Sequence, residues 1–146
     1  MKPVRFNYTG WVGLRFQVGA TPVEVRQLGR VFVTGNTQSH ELRLVQATTK
    51  ATVASVVWSP AGGVANAITY APLAVPVTLA ANTEYYLAAK ETSGGDQWYS
   101  NNTAVTTTGV ATVLSAVYSS TGSTWLPYGA AGSYTYGPVG VTYCTR

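Results

Sequence analysis

The sequence alternates apolar and polar residues along much of its length, and this period constrains the fold more than any other feature. Val12, Leu14, Phe16 and Val18 share one parity, and glycine or polar residues stand between them. Successive side chains of a strand point to opposite faces of a sheet, so the pattern indicates strands with one buried face. No segment keeps a helical period over several turns without glycine, proline or β-branched residues. The chain is therefore predicted to be all-β.

Further alternating segments are separated by clusters of turn-forming residues, such as those at 59–63 and 93–96. A bend is expected near residues 27–29 of the second segment. The segments expected to form strands cover residues 12–18, 23–33, 40–46, 52–58, 83–91, 111–118 and 134–143. About eight to ten short strands with regular turns favour an antiparallel β-sandwich of jelly-roll-like type. We find no internal repeat and no linker, so residues 1–146 are predicted to form a single module.

The composition limits where the protein works and what it binds. Only 10% of the residues are charged, while 12% are aromatic, whereas an average soluble domain has about a quarter charged residues. This excludes a disordered chain and is typical of extracellular β-proteins, so we expect a secreted or extracellular protein. The net charge of +4 comes from scattered basic residues, which predicts no nucleic-acid binding. No apolar stretch reaches the roughly 18 residues that span a bilayer, so no membrane insertion is expected.

Residues for catalysis are scarce, because the chain has a single histidine and a single aspartate. A serine-type triad would have to use His40 and Asp96, and no nucleophile elbow is present. A glycosidase needs two carboxylates across a cleft, and Glu91 with Asp96 is the one plausible pair. We predict a protein that is not an enzyme and keep a small lyase or hydrolase built on this pair as an alternative. The remaining acids are expected to face solvent: Glu24, Glu41 and Glu84.

Metal binding has little support in the sequence. Zinc-ligand spacing is absent, and the single cysteine, Cys144, excludes a cysteine cluster. Calcium is retained as an alternative cofactor, because Glu91 and Asp96 could supply oxygen ligands. No metal site and no other cofactor are predicted.

The segment 91–99 places polar and aromatic side chains together directly after a predicted strand. Sugars bind proteins when their C–H faces stack on aromatic rings and their hydroxyl groups hydrogen-bond to planar polar side chains. Trp98 and Tyr99 offer the rings. The candidate hydroxyl partners are Glu91, Asp96, Gln97 and Asn101. We therefore predict a ligand-binding site at this segment.

Parity adds His40 to the candidate site. Glu91 ends an inward-facing row of its strand, and His40 begins an inward-facing row of another. A polar group on such a row is tolerated where it finds a partner or water, so both residues are expected at one open end of the sandwich. Two interpretations remain: the pair lines a binding rim, or a hydrogen bond between the two closes the end of the core.

The other tryptophans are assigned by the same rule. Trp11 lies off the inward parity of its strand, so we expect an outward-facing indole and a second stacking platform. Trp58 ends a strand and is assigned to the edge of the core. Trp125 lies in a loop, where it either stacks on a ligand or covers the core.

Several segments of the chain resemble a known class of modules. They are residues 10–13, the turn 33–36 leading to His40, residues 76–87 and residues 91–99. Over about residues 8–143 the chain resembles carbohydrate-binding-module-like β-sandwich accessory domains of secreted bacterial multi-domain proteins. The resemblance implies a non-catalytic jelly-roll-like module, covalently linked to catalytic or surface domains. It carries over to these positions alone: Trp11, His40, Glu91, Asp96, Gln97 and Trp98.

Two functions follow from the sequence. The first is a carbohydrate-binding module that stacks sugar rings on exposed Trp98 and Trp11 and binds a polysaccharide or oligosaccharide through the polar cluster. The second is a structural or adhesion module of a bacterial surface or phage-tail protein, in which the same residues close the core. The second requires a buried Trp98, whereas the first requires an accessible one.

Overall fold

The computed structural model describes residues 4–99, 109–129 and 139–145, and these residues form strands, turns and loops without a helix. The prediction of an all-β chain is confirmed. In the described ranges there is accordingly no helix long and apolar enough to cross a membrane. The strands are β1 (Val4–Arg5), β2 (Gly10–Val18), β3 (Val23–Val31), β4 (His40–Gln46), β5 (Thr52–Trp58), β6 (Ile68–Leu79), β7 (Glu84–Glu91), β8 (Trp98–Tyr99), β9 (Ala111–Ser119), β10 (Leu126–Tyr128) and β11 (Val139–Thr145).

Three antiparallel sheets contain these strands, and none of them is closed. The largest has six strands in the order β10-β9-β2-β7-β4-β5, and a second has three in the order β11-β3-β6. A third, two-stranded sheet pairs β1 with β8, so that Arg5 stands opposite Trp98. Of the predicted last strand, residues 139–143 lie in β11, and residues 134–138 lie outside the described ranges, as does Asn101.

Strand β6 was not predicted from the sequence. It contains Pro72 and Pro76, which lack the N–H group that a central strand needs. The structure places β6 at the edge of the three-stranded sheet, where proline is tolerated. The register between β3 and β6 also shifts between Val25 and Gln27, somewhat before the bend expected at residues 27–29.

One hydrophobic cluster is shared by the six-stranded and the three-stranded sheets. Three of the four residues of predicted inward parity on β2, Leu14, Phe16 and Val18, are buried in it. The fourth, Val12, is buried beside Trp98 and Ala116. Trp58 is fully buried in the same cluster, in agreement with its assignment to the core. The remaining buried members are Val23, Val25, Leu28, Leu42, Leu44, Ala71, Leu79, Tyr85, Leu87, Ala89, Val113 and Val139. Since β3, β6 and β11 contribute alongside β2, β4, β7 and β9, this cluster ties the two sheets together.

The opposite face of the six-stranded sheet carries a second buried cluster, which we call the outer aromatic cluster. It consists of Trp11, Val45, Ala47, Tyr86, Ala88, Val117 and Trp125. The ring centroids of Tyr86 and Trp125 are 5.2 Å apart, and those of Trp11 and Trp125 are 6.4 Å apart. Trp125 comes from the loop after β9 and covers a face that alternation alone would leave open to water.

Candidate functional site

Four charged or ionisable side chains form a buried ionic cluster at one end of the shared core: Arg30, His40, Glu91 and Asp96. Their exposed fractions are 2%, 4%, 1% and 6%, respectively. Arg30 donates two hydrogen bonds to the carboxylate of Glu91, from Nε to Oε1 at 2.9 Å and from Nη2 to Oε2 at 3.2 Å. His40 Nδ1 lies 3.3 Å from Glu91 Oε2. Such a bidentate, charge-assisted pair is the strongest arrangement of these groups.

Asp96 joins this cluster from the loop that follows β7. Its Oδ1 accepts a hydrogen bond from the backbone N–H of Thr37 at 2.9 Å, and its Oδ2 accepts one from the N–H of Gln38 at 2.9 Å. The backbone N–H of Asp96 in turn donates to the side-chain oxygen of Gln38 at 3.0 Å. Because Asp96 holds the loop before β4 against the loop after β7, it connects two turns that are distant in the sequence.

His40 bridges the two carboxylates. Its Nε2 lies 2.9 Å from Asp96 Oδ2, and its Nδ1 lies 2.7 Å from the carbonyl oxygen of Lys90. Both neighbours are hydrogen-bond acceptors, so only a ring that carries protons on both nitrogens can donate to both.

The pKa values of the two carboxyl groups are shifted in opposite directions. Burial raises the pKa of Glu91 above its ordinary value, although Arg30 and His40 both favour its charged form. Burial would also raise the pKa of Asp96, but hydrogen bonds from Thr37, His40 and Gln38 outweigh it and hold that pKa below the ordinary value. Asp96 is therefore held as an anion by its donors.

Arg30 is the functional residue of this cluster that sequence reasoning missed. It lies on the same parity as Leu28 in β3, and this inward position could have identified it. Asn36 was missed as well. Its Oδ1 accepts a hydrogen bond from Arg30 Nη1 at 2.8 Å, and its Nδ2 donates to the carbonyl oxygen of Gln97 at 3.1 Å. Both residues bind the three-stranded sheet to the loop after β7.

The sequence-predicted residues are only partly brought together. His40, Glu91 and Asp96 are in contact, and Gln97 meets them through its backbone carbonyl, which accepts a hydrogen bond from Arg30 Nη2 at 3.2 Å. Tyr99 is buried elsewhere, against Val31 and Val33. The three predicted polar residues thus contact one another, but the rings predicted to stack on a sugar, Trp98 and Tyr99, are buried.

The two tryptophans expected to be exposed are buried. Trp98 is 2% exposed and packs with Val12 and Ala116, with Arg5 over its ring at 5.2 Å. Trp11 is 3% exposed, because Trp125 and the Arg43 guanidinium, 4.2 Å from the ring centroid, cover it. The expectation of exposed rings at these two positions is wrong: parity gives the face of a strand but not what folds over that face.

Glu24 also departs from its expected exposure. It is 8% exposed, and its carboxylate accepts a hydrogen bond from Arg26 Nε at 3.0 Å. Glu41 and Glu84 agree better with the expected exposure to solvent, because their side chains are 32% and 38% exposed. Within the described residues, no group of three or more histidine, cysteine, aspartate or glutamate side chains is placed to hold a metal ion.

The chain was compared with models of known protein families and with curated protein sequences. No family model matches it, and no curated protein matches it either. The resemblance to carbohydrate-binding modules therefore remains a prediction from the sequence.

Proposed function

We propose that the chain is a non-catalytic structural or adhesion module of an extracellular protein, and that the buried ionic cluster locks its core. The observation that carries this proposal is that the acceptors of Glu91 and Asp96 are engaged by protein donors while both residues are buried. A catalytic or sugar-binding carboxylate needs a face that a substrate can reach. These two carboxylates bind strands and loops instead.

The proposed architecture is an antiparallel β-sandwich. The six-stranded and three-stranded sheets share one hydrophobic cluster, which supports two layers packed face to face. Arg30 comes from β3 of one sheet, whereas His40 and Glu91 come from β4 and β7 of the other. The ionic cluster would therefore fasten the two layers at one end, where a purely apolar core would meet the loops.

The test compares ligand binding with stability in the same variants. Glu91→Gln and Asp96→Asn are expected to lower the melting temperature while leaving any retention on polysaccharide gels unchanged. Turnover assays on the same polysaccharides should show no product. A folded Glu91→Gln protein that has lost glycan binding or hydrolysis present in the wild type would contradict the structural role.

Carbohydrate recognition is kept as a second candidate function at a different surface, because Tyr70 is 38% exposed on the three-stranded sheet. It stands opposite Gly29, which stands opposite Gly140, so the three residues form a row across the sheet. A Cβ atom added at Gly29 would lie 2.7 Å from Cδ1 of the Tyr70 ring, and one added at Gly140 would lie 3.5 Å from its hydroxyl. The ring thus reaches across β3, where side chains other than glycine would displace it.

Uncharged polar groups lie on the same face of the sheet as this ring. Thr142 Oγ1 donates a hydrogen bond to Gln27 Oε1 at 3.1 Å, on the same face as Gly29 and Gly140. An aromatic ring and an oriented amide on one face of a sheet match the chemistry that binds a neutral sugar. Tyr70→Ala should abolish retardation in gels containing hydroxyethylcellulose, xylan or dextran, whereas Tyr128→Ala, at another exposed tyrosine, should not. Equal retardation of the Tyr70→Ala protein and the wild type would exclude this surface.

A further inference from the structure

A polar cleft of about 610 Å³ lies at the end of the six-stranded sheet opposite the buried ionic cluster. The ionic cluster takes residues from the start of β4 and the end of β7, whereas the cleft takes residues from the end of β4 and the start of β7. Its volume is in the range of ligand-binding sites in proteins. The side chains of its lining include Gln17, Gln46, Thr49, Lys50, Glu84 and Tyr86.

The cleft carries an excess of positive charge. The chain has five acidic side chains, and each forms an ion pair with an arginine or with the histidine: Glu24 with Arg26, Glu41 with Arg43, Glu84 with Arg15, Glu91 with Arg30 and Asp96 with His40. In the described part of the chain Lys50 forms no ion pair. The carboxylate in the lining, Glu84, already has Arg15 Nε at 3.8 Å. Two cations therefore face one carboxylate here, and a ligand with a single negative charge would balance them.

Neutral oxygen atoms hold the ammonium group of Lys50 in the wall of the cleft. Its Nζ donates hydrogen bonds to the carbonyl oxygen of Ala47 and to the Tyr86 hydroxyl at 3.1 Å, and it lies 5.1 Å from the centroid of the Tyr86 ring. An ammonium group has three N–H donors, so the third is available to a ligand. Because these contacts already fix the long side chain, binding at Lys50 loses little conformational entropy.

Amide groups and the carboxylate of Glu84 surround this cation with partners for hydroxyl groups. Gln46 Oε1 accepts a hydrogen bond from Thr49 Oγ1 at 2.8 Å, which orients the amide and leaves its N–H groups as donors. Gln17 is exposed and stands opposite Glu84 in the pairing of β2 with β7. A phosphate dianion would meet one lysine and one carboxylate in this lining, whereas a carboxylate ligand needs a single cation. The lining thus matches a ligand with one carboxylate and several hydroxyl groups.

We propose that this cleft binds the uronic acid residues of an acidic polysaccharide. The carboxylate of the sugar pairs with Lys50, and its hydroxyl groups hydrogen-bond to Gln17, Gln46 and Glu84. The proposal does not depend on the ionic cluster, which lies at the other end of the sheet. It does not depend on a neutral sugar at Tyr70 either, because Tyr70 lies on β6 of the three-stranded sheet.

The experiment is isothermal titration calorimetry of the full chain with trimers of galacturonate, glucuronate and mannuronate. The methyl ester of each trimer has the same hydroxyl groups without the charge. We expect at least one acidic trimer to bind at least about tenfold more tightly than its methyl ester, and its affinity to fall as the salt concentration rises. Tyr70→Ala should bind this trimer like the wild type, which separates the cleft from the surface at Tyr70.

Lys50→Asn removes the cation and should weaken binding of the acidic trimer by at least about tenfold. Asparagine suits this position, because residue 50 has a left-handed backbone with a φ of 62°. Lys90→Gln is the matched control. It also removes one positive charge, but Lys90 Nζ lies 6.0 Å from the Trp11 ring and donates no hydrogen bond to a described residue. This control should bind like the wild type.

Titration of the wild type followed by amide chemical shifts provides a second measurement that needs no variant. The changes should concentrate at residues 46–50 and 82–84 and leave residues 93–97, beside the ionic cluster, unchanged. Absence of binding of all three trimers up to about millimolar concentration, at which even weak binding is visible, would overturn the proposal. So would equal affinity for acid and methyl ester, shift changes centred elsewhere, or a folded Lys50→Asn protein that binds like Lys90→Gln.

Discussion

Among single residues, Glu91 has the most demanding position in the molecule. It is 1% exposed, and its carboxylate lies 2.9 Å from Arg30 Nε and 3.3 Å from His40 Nδ1. A buried pair of this kind gains little over well-packed apolar side chains, but the loss of one partner leaves the other as an uncompensated buried charge. Removing one partner of the pair should therefore lower the free energy of unfolding more than replacing both partners with apolar side chains.

Glu91→Ala is expected to lower the free energy of unfolding by about 3–5 kcal/mol, because Arg30 is then buried without its counter-ion. Urea denaturation followed by tryptophan fluorescence measures the change. The control is Glu41→Ala, which breaks the half-exposed pair with Arg43 and should cost less than about 1 kcal/mol. The double replacement Arg30→Met with Glu91→Leu should recover most of the loss; similar losses in the Glu91→Ala and Glu41→Ala proteins would refute the argument.

Asp96 gives the stability a defined pH dependence. Its pKa in the folded state lies below the ordinary value of 3.8, so the unfolded chain binds more protons in this range. The contribution of Asp96 is therefore complete above pH 3.8 and is lost as the pH falls through the folded-state pKa. Glu91 shifts in the opposite direction, because its raised pKa makes the folded protein favour the protonated form.

Asp96→Asn isolates this effect, since Glu91 is present in both proteins. At pH 7 the amide cannot accept from Thr37, Gln38 and His40 together, so we expect a loss of about 1–3 kcal/mol. The difference between the two proteins should shrink steadily as the pH is lowered below 3.8. Urea titrations at pH values from 7 down to 2 test this, and a difference that stays constant over that range would show that the charge of Asp96 is not involved.

At the scale of the elements, alternation along the chain predicted most strands but not every face. β2, β4, β5, β7 and β9 follow the predicted segments closely, because each has an apolar row that faces the shared core. β6 was missed because Pro72 and Pro76 argue against a strand unless its edge position is known. The outer aromatic cluster was missed because it depends on a loop folding back, which no local pattern encodes.

The buried ionic cluster shows the same limit of prediction from local sequence patterns. Parity placed His40 and Glu91 on inward rows, and the structure brings them together. Parity alone could not reveal that Arg30, 61 positions from Glu91 along the chain, would be their partner. That pairing depends on which strand of the second sheet lies opposite, and sheet packing is a non-local property. The same reason explains why the burial of Trp98 was not predicted.

The loop after β9 should behave as a cover for the outer face of the six-stranded sheet. Trp125 is 6% exposed and contacts Trp11 and Tyr86, while its indole N–H has no hydrogen-bond partner in the described part of the chain. Trp125→Ala should cost about 3–5 kcal/mol and make Trp11 accessible to acrylamide. Quenching of tryptophan fluorescence and urea denaturation measure the two effects.

Trp125→Phe serves as the control for this loop, because it keeps an aromatic ring and loses no hydrogen bond to a described residue. It should retain more of the stability and most of the protection from acrylamide. Leu126→Ala, at a residue 47% exposed, should change the free energy of unfolding by less than about 0.5 kcal/mol. Unchanged quenching in the Trp125→Ala protein would mean that the loop does not shield Trp11.

For the whole molecule, the arrangement of the core decides how it unfolds. The shared hydrophobic cluster takes residues from both large sheets, and the ionic cluster fastens β3 to β4 and β7. Loss of either sheet would expose the apolar residues that the other contributes to this shared cluster, so partial unfolding should be unfavourable.

We therefore expect one cooperative unfolding transition. Far-UV circular dichroism and tryptophan fluorescence should give the same urea midpoint, and the calorimetric and van't Hoff enthalpies should agree. Leu28→Ala tests the coupling, because Leu28 is fully buried on β3 whereas all four tryptophans lie outside the three-stranded sheet. This change should lower the free energy of unfolding by about 2–5 kcal/mol. The midpoints measured by dichroism and by fluorescence should fall by the same amount. If the fluorescence midpoint stayed in place while the dichroism midpoint fell, the two sheets would be unfolding independently, and the shared core would not be the unit of stability.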